Sequence, residues 1–243
     1  GTELRATTAQ AAGASVEIDV GAVGDAEFAG IHILNPQQAI LDRLSNVDGI
    51  FSAQVGVQIN VPLVQVFTDS GAGSYPFSGT VVAGDLLVEL ADYRNSEPNQ
   101  NVNGLTHLWT GKNVESDTGN NSTVGIAYTG ALCRQRFGAG LSEGRGNATF
   151  DSLVAAHEIG HNFGAPHDGT AGSACESETG DFLMAPTLNG VDQFSQCSLE
   201  QMADDIASAS CITPLPSVDM SFGLDDPAPG GQTGPYNLRV IPT

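Results

Sequence analysis

Residues 157–168 read HEIGHNFGAPHD. His157, His161 and His167 stand at i, i+4 and i+10, and Glu158 directly follows the first of them. Three of the chain's five histidines therefore fall within eleven residues. The lead-in FDSLVAAHEIGHNF places Leu153, Ala156, Gly160 and Phe163 on one stripe, which predicts a helix with that stripe in the core. Residues four apart on a helix lie one above the other, so His157 and His161 can address one metal ion. Gly164 fits the helix C-terminus, where a left-handed residue costs glycine little. A turn there lets His167 come back toward the same ion. Three imidazoles and an open fourth position form the donor set of a catalytic zinc, whereas structural zinc is closed by four protein ligands. Glu158 is too close in sequence to be a comfortable co-ligand. It is placed to take a proton from water and to pass it to a leaving amine.

The chain has 243 residues, 40% of them hydrophobic, enough for one domain with a sizeable core plus tails. No apolar run reaches the roughly 20 residues a membrane-spanning helix needs, and no signal peptide precedes the first strand. Gly1 points to a processed or trimmed N-terminus. There are 28 acidic residues against 8 basic ones, and Lys112 is the only lysine. A net charge of -20 argues against a nucleic-acid partner and fits solubility in a salty medium, where screening weakens self-repulsion. Cys133, Cys175, Cys197 and Cys211 contain no close pair of the zinc-binding kind. An even number at long spacings predicts two disulfides and an oxidising compartment, with three pairings open.

Residues 1–14 are small and polar and read as a linker or the remnant of a removed pro-segment. Val16, Ile18, Val20 and Ala22 alternate as in a strand that continues into GDAEF. Asn35-Pro36 reads as N-cap and first helical position, and Ile40, Leu41, Leu44, Val47, Ile50 and Phe51 carry the helix to residue 54. VQINVPLVQVF, residues 57–67, predicts a strand in which Pro62 marks an edge or a bulge. Val82, Leu86, Leu87, Leu90 and Tyr93 predict a helix, followed by the loop RNSEPNQNVNG. GLTHLWTG is a short strand, and its His107, like His32, reads as a core or supporting histidine. STVGIAYTGALC reads as a strand ending in Cys133, and the glycine-rich RQRFGAGLSEGRGN as a loop. Ser198 and Gln201 suggest a capping box for a last helix. Residues 213–243, rich in proline and glycine, read as a tail or a connector to a further domain. Strands and helices in alternation predict an α/β fold with a mostly parallel sheet.

With Asp168 after the third histidine, the stretch resembles the metzincin zinc endopeptidases, and most closely the adamalysin/reprolysin group. Astacins would carry Glu there, matrix metalloproteinases Ser and serralysins Pro. Met184-Ala185-Pro186, seventeen residues beyond His167, resembles the methionine turn of these enzymes, and no astacin-like tyrosine follows it. FSQCS before the last helix and GIA before Cys133 are adamalysin-like too. The resemblance spans residues 15–212. It implies a two-subdomain fold: a twisted, mostly parallel sheet with an antiparallel edge strand and the active-site helix up to residue 164, then a small irregular subdomain. The cleft would run between them.

The resemblance also implies roles. His157, His161 and His167 would bind Zn2+, Glu158 would be base and acid, and Met184 would underlie the metal. Asp168 would hold the lower subdomain. Ala185 and Pro186 would wall the S1′ pocket. Backbone groups of Gly125, Ile126 and Ala127 would pair with substrate by strand addition. The disulfides would be Cys133–Cys211 and Cys175–Cys197. Many members also hold Ca2+, for which Asp19 is the candidate ligand. Gly104 and Pro214 depart from the rest of that site. The expectation is a secreted, monomeric zinc endopeptidase acting on proteins or peptides. The alternative is an inactive metalloprotease-like binding or adhesion module, which loss of Glu158 or of a ligand would mark; neither is lost here.

Overall fold

A computed structural model describes residues 13–215, apart from residues 72, 118, 120 and 121. Most of the expected linker and tail lies outside the described residues. The sheet begins with β1 (Val16–Gly24), which is followed by the short α1 (Ala26–Ile31) and the long α2 (Pro36–Gln54). Next come β2 (Val57–Val66), α3 (Ala83–Ser96), the single-turn α4 (Pro98–Asn101) and β3 (Leu105–Thr110). The second half holds β4 (Gly125–Ala127), β5 (Ala139–Glu143), α5 (Ala148–Asn162), α6 (Gln196–Ser208) and β6 (Ile212–Pro214).

The strand order is β2-β1-β3-β5-β4, with β6 paired to β1. The β1–β2, β1–β3 and β3–β5 pairs are parallel, while β4 and β6 run antiparallel to their partners. Strand β3 meets β1 only from Val20 onward, and β6 fills the length of β1 that β3 leaves open, pairing with Val16–Ile18. Between Asn60 and Leu63 two residues of β2 oppose a single residue of β1, so Pro62 lies in a bulge as well as on an edge strand.

Each face of the sheet has its own core. Ile18, Val20, Ala22 and Trp109 pack with Ile40, Leu44, Val47 and Phe51 of α2 and with Ala155, Ala156 and Ile159 of α5. Val23, Leu108 and Leu141 point the other way, against Leu86, Leu87 and Leu90 of α3. This alternation follows from side chains pointing to opposite faces along a strand. Helix α5 is the central element. Residues 151–160 are buried without a break, so the burial goes beyond the expected stripe. Its first turn is pinned by a buried ion pair, in which Arg43 donates from both Nε and NH2 to Asp151 Oδ2 at 3.0 and 2.8 Å.

Several sequence expectations are corrected. Strand β1 stops at Gly24, because the Asp25 side chain accepts from Phe28 N at 2.7 Å and starts α1. The stretch after Arg94 contains α4, entered at Pro98. The strand expected to run to Cys133 ends at Ala127: Gly130 N and Ala131 N bond to His161 O and Asn162 O of α5, and both Gly130 and Cys133 have φ of 61°. The segment after it, read as a loop, contains β5, a buried strand of the sheet. Its Gly140 answers a packing need: a β-carbon there would meet the Ala127 β-carbon at 3.0 Å. Helix α6 is capped by Ser195, whose Oγ accepts from Ser198 N at 3.0 Å, not by Ser198.

The disulfides are Cys133–Cys211 and Cys175–Cys197. The first ties the chain beyond β4 to the start of β6. The second ties the segment after His167 to α6.

Candidate metal centre and cleft

Helix α5 ends in a Schellman motif. Gly164, at φ 101°, donates to His161 O at 2.9 Å, and Ala165 N donates to Gly160 O at 3.0 Å. This turn carries His167 back over the helix. His167 Nε2 then lies 3.2 Å from His157 Nε2 and 3.1 Å from His161 Nε2. The outer nitrogens of the two helical histidines are engaged: His157 Nδ1 lies 2.7 Å from Leu183 O and His161 Nδ1 2.7 Å from Ala165 O. A carbonyl can only accept, so both Nδ1 atoms carry the proton and both Nε2 atoms are bare lone pairs. Such lone pairs at close range repel unless a cation lies between them. A tetrahedral ion with Zn–N bonds of about 2.0–2.1 Å requires nitrogens about 3.3 Å apart, close to the observed separations. The donor set and the spacing therefore fit zinc. Among the described residues this is the only group of three or more His, Cys, Asp or Glu side chains that converges on one point.

Electrostatics agrees with a ligand role. Burial, reinforced by the neighbouring His161, pushes His157 down to about 3. Burial pushes His161 down to about 4 and lowers His167 as well. The imidazoles are thus neutral at physiological pH, the form in which they can ligate a metal. Burial pushes Glu158 up to about 8. A cation at the triad favours its ionised form.

The supporting residues are placed from below. Met184 is fully buried under α5, where a β-carbon on Gly160 would meet its Sδ at 2.8 Å. Asp168 N donates to Met184 O at 2.9 Å. Its Oδ1 accepts from Ser195 Oγ at 2.8 Å and Ser198 Oγ at 3.2 Å, which fixes the start of α6 beneath the third histidine.

Two cavities adjoin the triad and share Gly125, Glu158 and His167, so the cleft continues on both sides of the carboxylate. The larger, about 430 Å³, is walled by Ala185, Pro186, Thr187, Leu188, Phe150 and Val154. The other, about 390 Å³, runs along Gly125–Ala127 to Thr129 and Pro166. Among the described residues strand β4 pairs with β5 alone, so its other edge is left to face this cleft.

The structure thus brings His157, Glu158, His161, His167, Ala185, Pro186 and Gly125–Ala127 into one region. It leaves the calcium candidate Asp19 outside, together with the two histidines read as core or supporting. His107 is buried against Ser142 Oγ at 3.0 Å, and His32 lies 2.8 Å from Gly144 O. Asp19 accepts from Asn60 Nδ2 at 2.6 Å, and the position of Gly104 is packed against Ile18 and Cys211. Phe150 and Val154 were not anticipated, although they share a helical stripe with His157 and Glu158. Leu183 O and Ala165 O were not anticipated either, since backbone acceptors leave no mark in a sequence.

Comparison with known proteins gives the same reading. The snake venom metalloproteinase TM-1 of Protobothrops mucrosquamatus is 32% identical over 100 residues, 39% of this chain and 48% of that protein. The mouse (Mus musculus) "disintegrin and metalloproteinase with thrombospondin motifs 18" is 32% identical over 113 residues, 44% of this chain and 9% of that protein. The matches therefore span about half of one relative and a small part of the other. A solved structure titled "Structure of a chaperone-substrate complex" shares the fold at 13% identity. Its TM-score is 0.51, and the match covers 74% of this chain and 29% of that one. No described helix is long and apolar enough to cross a membrane. A family model described as Reprolysin_5, metallo-peptidase family M12, matches residues 14–195, well over half of the sequence. The chain belongs to the reprolysin group of metallo-peptidase family M12.

Proposed function

We propose that the chain is a secreted zinc endopeptidase that cleaves internal bonds of extended polypeptides. The observation that carries this reading is the convergence of three imidazole nitrogens beside a buried carboxylate, midway along a cleft. His157, His161 and His167 would hold the ion, with Leu183 O and Ala165 O orienting two of the rings. Zinc bound there supplies a Lewis acid that polarises the scissile carbonyl and lowers the pKa of water toward about 7. Glu158 accepts the proton of the attacking water and returns it to the leaving amine. Backbone groups of Gly125–Ala127 hold the substrate as an added antiparallel strand. Ala185 and Pro186, with Phe150, Val154 and Leu188, give an apolar wall to the pocket for the side chain that follows the cleaved bond. Two disulfides fit an extracellular location.

The test is digestion of a peptide library by the protein as purified, after chelation, and after zinc is restored. Cleavage that stops with the chelator and returns with zinc is expected, with the residue after the cut enriched in uncharged side chains. Cleavage indifferent to chelation contradicts the reading. No cleavage in any arm, with zinc bound, favours a binding module on the same scaffold.

A further inference from the structure

We propose that Asn162 is a positioning residue for peptide hydrolysis: its carboxamide fixes the substrate-binding edge strand against the helix that carries two of the metal ligands. The inference rests on the reading of Gly125–Ala127 as the strand that substrate joins.

Asn162 is the last residue of α5, follows His161 directly and is 1% exposed. Its Nδ2 donates to Tyr128 O and to Ala139 O, each at 2.9 Å. Ala139 O also accepts from Tyr128 N at 3.2 Å, so the carboxamide extends the β4–β5 ladder just past its end. Two backbone bonds run in parallel: Gly130 N to His161 O and Ala131 N to Asn162 O, both 2.9 Å. Four hydrogen bonds thus join residues 161 and 162 of the helix to the strands and to the chain leaving β4. One of those two helix residues carries a metal-directed nitrogen.

The orientation of the carboxamide is not arbitrary. Two carbonyl acceptors require an N–H donor, so the nitrogen must face the strands. The oxygen faces Gly140, where a β-carbon would lie 3.2 Å from Asn162 Oδ1 and 3.0 Å from the Ala127 β-carbon. The helix does not need Asn162 as a cap, because Gly164 and Ala165 close its C-terminus through the backbone. Strand β4 does need support. It has three paired residues, and so short a ladder sets register weakly. Hydrolysis tolerates little error, since a misplacement of about 1 Å between reacting groups can cost roughly 100-fold.

The test uses the zinc-loaded protein and two fluorogenic peptides with the same residues around the scissile bond. One extends well into the amino-terminal side of the cleft, and the other is cut short there. For wild type, Asn162→Asp and Asn162→Leu, zinc content, melting temperature and kcat/KM on both peptides are measured. The wild type is expected to favour the long peptide. The variants are expected to keep their zinc and the short-peptide rate while losing about tenfold of that preference. A purely structural role lowers both rates together with the folded fraction and leaves the ratio unchanged, which overturns the inference. Gly140→Ala crowds Asn162 Oδ1 and Ala127 while keeping every hydrogen-bonding group. It is expected to reduce the same ratio, and an unchanged ratio there overturns the inference if the Asn162 variants do not fold. A wild type without any long-peptide preference removes the strand-binding reading itself.

Discussion

A β-carbon placed on Gly125 would stand 2.6 Å from Glu158 Oε1 and 2.7 Å from its Cγ. The edge strand passes the carboxylate this closely only because residue 125 has no side chain. Gly125→Ala is therefore expected to displace the carboxylate while leaving all three histidines in place. The variant should bind zinc normally and lose roughly 100-fold in kcat/KM, the scale set by small displacements of a reacting group. Turnover within threefold of wild type, on the order of 0.6 kcal/mol, would show that the carboxylate has room to move.

Gly160 and Met184 form a second glycine contact, on the underside of the same helix. A β-carbon on Gly160 would meet Met184 Sδ at 2.8 Å and Phe194 Cε1 at 3.0 Å. Overpacking typically costs 1–3 kcal/mol, which the better helix propensity of alanine offsets by about 1. Gly160→Ala should thus lower stability by roughly 1 kcal/mol. Met184→Ala should cost less in that background than in wild type, because it opens space for the new methyl. Additive losses in denaturant titrations would argue against direct contact.

The buried His107 makes the fold sensitive to acid. Burial pushes it down to about 3, whereas in the unfolded chain it titrates near 6.5. The folded form therefore stays neutral while the unfolded form takes up a proton. Stability is complete above the unfolded value and is lost as the pH falls from there toward 3. Between about pH 5.5 and 4.5 this contributes a slope of about 1.4 kcal/mol per pH unit. His107→Gln should flatten the unfolding free energy by that amount over this range, whatever its stability at neutral pH. Equal slopes in urea titrations of the two proteins are the contrary result.

The Cys133–Cys211 bridge closes a separation of 78 residues and joins the chain beyond β4 to β6. Loop-closure entropy predicts that replacing both cysteines with serine costs about 4 kcal/mol. Urea unfolding measures this directly. A loss below about 1 kcal/mol would mean that the unfolded chain without the bridge already keeps these segments close.

The helix of His157 and His161 was legible because two independent periods coincide there: histidines four apart and apolar residues at helical spacing. Strand β2 and helices α2 and α3 were legible from the spacing of their apolar residues alone. What stayed hidden has identifiable causes. Strand β5 is entered from Gly138 and carries Gly140, which look like turn residues but serve the close packing of Arg94, Ala127 and Asn162. Helix α1 is too short for a period and depends on Asp25, which hydrogen-bonds Gly111 N far along the chain. The end of β4 is set by hydrogen bonds to α5, a tertiary cause that no local pattern encodes. In the candidate site, the three converging histidines could be read from the sequence, and the carbonyls of Leu183 and Ala165 that engage two of them could not.

The central claim is that Glu158 moves the proton while the three histidines hold the metal. Glu158→Gln separates the two, because it keeps the shape of the side chain and leaves every imidazole untouched. The measurement is zinc content and kcat/KM on the same preparation. The account predicts one zinc per chain and a fall in turnover on the order of 100- to 10,000-fold, the usual contribution of a general acid–base group. Turnover near wild type with zinc still bound would contradict it.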